Sequence, residues 1–167
     1  MAELLQQERL QPSLLDRLTD DSPDAREEGR DKRVLNVSQL RQSVLRDVAW
    51  LLNTVHLQAN QDLSDWSEVA SSTVNYGIPD LAGTSAVGKN TLELEKAVRQ
   101  AVLNFEPRIL GDTLKVTVRI EPEQMNRHAM SFIIEGQLWA QPVPLSLYLK
   151  TELDLETGTV TVAESNR

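Results

Sequence analysis

The chain reads as an α+β protein, with helices first and an antiparallel sheet second. Two observations predict this. Apolar residues recur at steps of three and four up to Phe105, and at alternate positions from Leu114 onward. The change of period falls at Pro107, inside the stretch NFEPRIL. Its 167 residues suit one domain with an appendage. Hydrophobic residues make up 40% and aromatics only 4%, so the core should be Leu, Val, Ile and Ala.

The first element is PSLLDRLTDD, where Ser13 caps a short helix and Leu14, Leu15 and Leu18 share a face. TDDSPDAREEGRDKR follows, ten of its fifteen residues charged and none a large hydrophobe. Such a stretch buries too little to offset its ordering entropy, so it reads as a linker. Residues 1–33 are therefore an amphipathic helix on a charged flexible tether, and 34–167 are the main domain. Leu14, Leu15 and Leu18 either fold back on the core or form a docking helix for a partner groove.

Ser38 opens the second helix, predicted to run to about His56 with Leu40, Val44, Val48, Leu51, Leu52 and Val55 inward. An irregular segment extends to Gly88, anchored by Tyr76 and Ile78 and punctuated by Gly77 and Pro79. Thr91 caps another long helix with the stripe Leu94, Ala97, Val98, Ala101, Val102 and Phe105. Glu93 and Glu95 suit the positive end of its dipole. Pro107 stops that helix.

The strands follow. TLKVTVRI alternates, SFIIEGQLWA spans Ser131 to Ala140, and LSLYLKTELDL turns Leu145, Leu147, Leu149, Leu153 and Leu155 inward. Pro142 and Pro144 place a bend at a sheet edge. Glu156, Thr157 and Gly158 form a hairpin loop into TVTVA.

Several chemistries are excluded or disfavoured. A formal net charge of -8 argues against general nucleic-acid binding and against a polybasic membrane anchor. The absence of cysteine removes disulfides, thiolate metal sites and cysteine nucleophiles. The start MAELLQQERLQPSLL lacks a signal pattern, and no run is apolar enough to span a membrane, so a cytoplasmic protein is expected. GTSAVGKN nearly matches a phosphate-binding loop, but Asn90 stands where a hydroxyl should hold magnesium, and Pro79 and Asp80 precede it instead of a buried strand. It reads as a loop feeding a helix cap. His56 and His128 have no metal-ligand spacing and read as solvent-facing or helix-end residues. No serine elbow occurs, and no acid among Glu106, Glu121, Glu123 and Glu135 is marked for hydrolysis. No catalytic residue, metal or cofactor is expected.

Glu106 and Arg108 flank the proline that ends the helix. In an extended segment, residues two apart point the same way, so Pro107 sets an acid beside a guanidinium. The pair is either an internal brace or a bidentate grip on a partner.

These residues, in order with PSLLDRLTD, LRQSVLRDVAWLLNT, VNYGIPDLAG, LEKAVRQAVLNFEPRI and FIIEGQLWAQPVPLSLYLKTELDLETG, resemble the GPW family. Within it they are similar to the TssE subunits of type VI secretion baseplates, relatives of a small wedge protein of contractile phage tails. The resemblance implies a non-enzymatic structural part at the cytoplasmic face of the inner membrane. It implies a fold like the sheath's interlocking domain, and TssF, TssG, TssK and the sheath proteins TssB and TssC as partners. Glu106, Pro107 and Arg108 would be the assembly-critical, partner-binding residues. The free edge of the sheet over Thr113 to Ala163 would template the first sheath ring. A phage tail or phage-like baseplate is the alternative, and the "lysozyme" label some relatives carry finds no support in the residues.

Overall fold

The computed structural model describes residues 13–19, 36–81, 91–120, 129–140 and 143–165. Four α-helices occur among them: α1 (Leu14–Leu18), α2 (Val37–Leu52), α3 (Ser67–Ala70) and α4 (Thr91–Phe105). Four strands follow: β1 (Lys115–Ile120), β2 (Ala129–Leu138), β3 (Leu145–Asp154) and β4 (Val160–Glu164). They form one antiparallel meander in the order β1-β2-β3-β4. The helices-then-sheet layout expected from the sequence is the one observed.

Packing follows the two periodicities. The α2 stripe Leu40, Val44, Val48, Leu51 and Leu52 and the α4 stripe Leu94, Val98, Ala101 and Val102 are buried in one cluster. The sheet meets them with Phe132, Ile134, Leu138, Leu147, Leu149 and Leu153. Burying each such side chain stabilises by roughly 1.5–3 kcal/mol. Thr151 is the polar residue in this layer, and its hydroxyl bonds the Phe132 carbonyl on the neighbouring strand.

Boundaries shift where local chemistry intervenes. Asn36, not Ser38, caps α2, because Asn36 and Gln39 exchange side-chain and backbone hydrogen bonds in a capping box. The helix stops at Leu52 instead of near His56. Val55 leaves the stripe, stays half-exposed, and bridges Ile78 in parallel. His56 instead starts a 3-10 turn, its Nδ1 accepting the Ala59 N–H. Thr91 is the first residue of α4 and not its cap. The phosphate-loop-like stretch, His128, Glu121, Glu123 and most of the charged linker lie outside the described residues.

Gly77 has a reason to be glycine. Its φ is +128°, and a Cβ there would lie 2.3 Å from the Thr54 carbonyl oxygen. Only a bare Cα lets this backbone lie against 54–56, where Ile78 N–H donates to Thr54 and His56 N–H donates to Ile78.

Both outer strands are partly closed by helix side chains. On β1, Glu95 accepts the Val118 N–H, and just ahead of the strand Arg99 Nε donates to the Leu114 carbonyl. On β4, the Asn53 amide takes both backbone groups of Val160, at 2.7 and 2.9 Å. Alternation places the backbone groups of Val162 and Glu164 on the same outward side as those of Val160.

Candidate functional site: the Glu-Pro-Arg corner

The α4 helix ends at Phe105, and Glu106 still donates its N–H to the Val102 carbonyl. Pro107 then turns the chain outward. Within two residues it rejoins the sheet: Trp139 N–H donates to Arg108 and Leu110 N–H to Gln137, with Ile109 bridging Leu138. Residues 108–110 thus extend the β1 side of the sheet along the end of β2.

This corner brings Glu106 and Arg108 face to face, as the spacing predicts. Arg108 Nε donates to Glu106 Oε1 at 2.6 Å, and Nη2 reaches Oε2 of the same carboxylate. Glu106 Oε1 also accepts the Arg108 backbone N–H. The other guanidinium donors cross to α2: Nη1 to Ser43 Oγ at 3.0 Å, and Nη2 to Asp47 Oδ2. Glu106 is 3% exposed. Burial alone would lower the Arg108 pKa, but Glu106, and after it Asp47, hold it above the ordinary arginine value. In the free chain, then, the pair ties the end of α4 to the flank of α2.

Ser43 and Asp47 lie one turn apart on α2, so they share a face. The sequence reading missed them. Their signal was present: a polar residue every fourth position beside the stripe Leu40, Val44 and Val48. Tyr76 closes the other side, its ring 5.2 Å edge-on from Phe105 and its hydroxyl on the Asp47 carbonyl at 3.4 Å. The expected anchoring role of Tyr76 is therefore exercised at this corner.

The charges continue outward. Asp47 Oδ1 accepts from Arg46 Nε at 2.8 Å, and Arg46 Nη1 donates to Asp16 Oδ1 on α1 at 2.6 Å. Arg46 also lies 5.2 Å over the Trp50 ring. The first helix does return to the domain, but by its acid. Leu14 and Leu18 are 72% and 74% exposed, and Leu15 is half-exposed. Pro107, Trp139 and Val143 present further exposed surface, with Trp139 bonded to Arg108 itself.

Among the described residues there is no cluster of acids and histidines able to hold a metal, and no helix long and apolar enough to cross a membrane. The model of the baseplate wedge protein gp25 family matches residues 38–143. The chain belongs to this family. No curated protein and no solved structure matches it. The matched stretch takes in α2, the Tyr76 anchor, α4, the Glu-Pro-Arg corner, β1 and β2. It thus contains Ser43, Asp47 and Glu106, the side chains that bond Arg108 directly. A wedge protein is a structural part, and the corner described here is an internally bonded turn with an exposed proline and indole beside it.

Proposed function

We propose that the protein is the wedge subunit of a type VI secretion baseplate, joining the wedge to the first ring of the contractile sheath and templating its assembly. The observation that carries this reading is the Glu-Pro-Arg corner within the family match. Glu106 and Arg108 shape the corner from inside, and Pro107, Trp139 and Val143 offer it to a neighbour. TssF and TssG are the proposed wedge neighbours, with TssK nearby and TssB and TssC reached through the sheet. Of the two outer strands, β4 suits strand pairing better. Among the described residues, helix side chains bond the β4 backbone at Val160, whereas α4 bonds the β1 edge at Val118 and just ahead of the strand at Leu114. The baseplate would sit at the cytoplasmic face of the inner membrane, with no enzymatic step.

Coexpression with TssF, TssG and the sheath proteins tests both surfaces. Trp139→Ser should keep the fold and lose wedge copurification. Val162→Pro, which removes an outward N–H, should keep the wedge and lose the sheath. If both variants assemble fully, the reading fails. A phage-type baseplate remains the second reading, because the family's own description is that of a wedge protein. Recovery of phage tail partners but not TssF and TssG would favour it.

A further inference from the structure

Helix α1 is held in an unusual way. Five residues are too few for a stable isolated helix. Burial does not hold it either, since none of its residues is buried. Its described hold on the domain is Asp16, and that one carboxylate does two jobs. Oδ2 closes the capping box by accepting the Ser13 backbone N–H at 3.3 Å, and it also accepts the Ser13 hydroxyl at 2.7 Å, while Oδ1 takes Arg46. Helix formation and docking therefore share a single side chain.

Arg46 is itself shared. It bridges Asp16 and Asp47, and Asp47 bridges Arg46 and Arg108. The order Asp16–Arg46–Asp47–Arg108–Glu106 alternates in sign at every step, so each member orients the next. Asp16 is the partner that fixes Arg46 Nη1, while Asp47 and the Trp50 ring hold the rest of the guanidinium.

We propose that α1 is a latch on the Glu-Pro-Arg corner: its docking through Asp16 is energetically coupled, through Arg46 and Asp47, to the order of Arg108 and Glu106. A neighbour that draws off α1 by its exposed leucines thereby loosens the corner, and a neighbour that reshapes the corner releases α1. Such coupling is reciprocal by thermodynamic necessity. The latch rests on the corner being the assembly surface, but its test uses the isolated chain and does not depend on any partner.

The experiment is amide hydrogen exchange by NMR on the full chain, comparing Asp16→Asn with a Leu14→Ser/Leu18→Ser variant that keeps the docking acid. Asp16→Asn should expose the α1 amides and raise exchange at Ile109 and Leu110 at least about fivefold, the lower end of ordinary site-to-site coupling. The Phe132 amide in the sheet should not change, which separates loosening from unfolding. The leucine variant should leave Ile109 and Leu110 as they are. The proposal is overturned if Asp16→Asn leaves α1 protected, or frees α1 while Ile109 and Leu110 stay within about twofold. An equal effect from the leucine variant also overturns it. Loss of wedge binding in Trp139→Ser bears on the corner's role and not on this coupling.

Discussion

The two ends of the same charge chain behave differently. At the inner end, Glu106 is almost fully buried and Arg108 is bonded to three side chains. At the outer end, Asp16 meets a single arginine on a helix whose leucines face solvent. Both are carboxylate–guanidinium pairs, but their surroundings differ. A buried pair is costly to break, because the survivor is left charged without water. The Asp16–Arg46 pair is only partly buried, with no residue of its helix buried, so it is screened more and contributes less. The inner end therefore sets a shape, and the outer end sets a reversible contact.

Substitutions can break or sharpen that contrast. The largest effect should come from Arg108→Ala, which strands the Glu106 carboxylate in the interior. Urea denaturation should show a loss of about 3 kcal/mol or more. Gly77→Ala tests the same end from the Tyr76 side. Its positive φ and the Thr54 oxygen leave no room for a Cβ, and the expected loss is about 1–3 kcal/mol. Asp47→Asn stands at the junction and keeps the shape while removing the shared charge. It should cost roughly 1–3 kcal/mol and weaken both neighbours. Asp16→Asn should cost no more than about 1 kcal/mol in global stability.

Acidification probes the outer end without mutation. Burial pushes the Asp16 pKa up, but the Ser13 hydroxyl and then Arg46 outweigh it and leave it below the ordinary aspartate value. A lowered folded-state pKa means the stabilisation is present above the unfolded value and is lost as pH falls through the folded one. Protection of the α1 amides should therefore fall below about pH 4. Arg108, with its raised pKa, stays charged throughout.

The fold was legible where one residue pattern decides it. The stripes of α2 and α4 and the alternation of β3 each specify a buried face, and Pro107 fixes the change between them. The capped end of α2 was less legible, because Asn36 and Ser38 are both good caps and only the capping box with Gln39 chooses. Its far end was misjudged because Val55 continues the spacing after Asn53 has left the helix. At the site, the Glu106–Arg108 pairing followed from their spacing. Ser43 and Asp47 did not, since they come from 61 or more residues away, and their four-residue spacing on α2 marks a shared face without naming the side chain that reaches it. The leucines of α1 were visible as a face, but which side docks was decided by Asp16, a choice made by Arg46 on another helix.

Glu106 and Arg108 act first inside the chain. A double-mutant cycle of Glu106→Gln and Arg108→Met, read by urea denaturation, tests this most directly. The expected coupling is about 2 kcal/mol, within the range for residues in one buried network. Additivity within about 0.5 kcal/mol, with wedge copurification lost in both single variants, would contradict it and make the pair an outward grip on a partner.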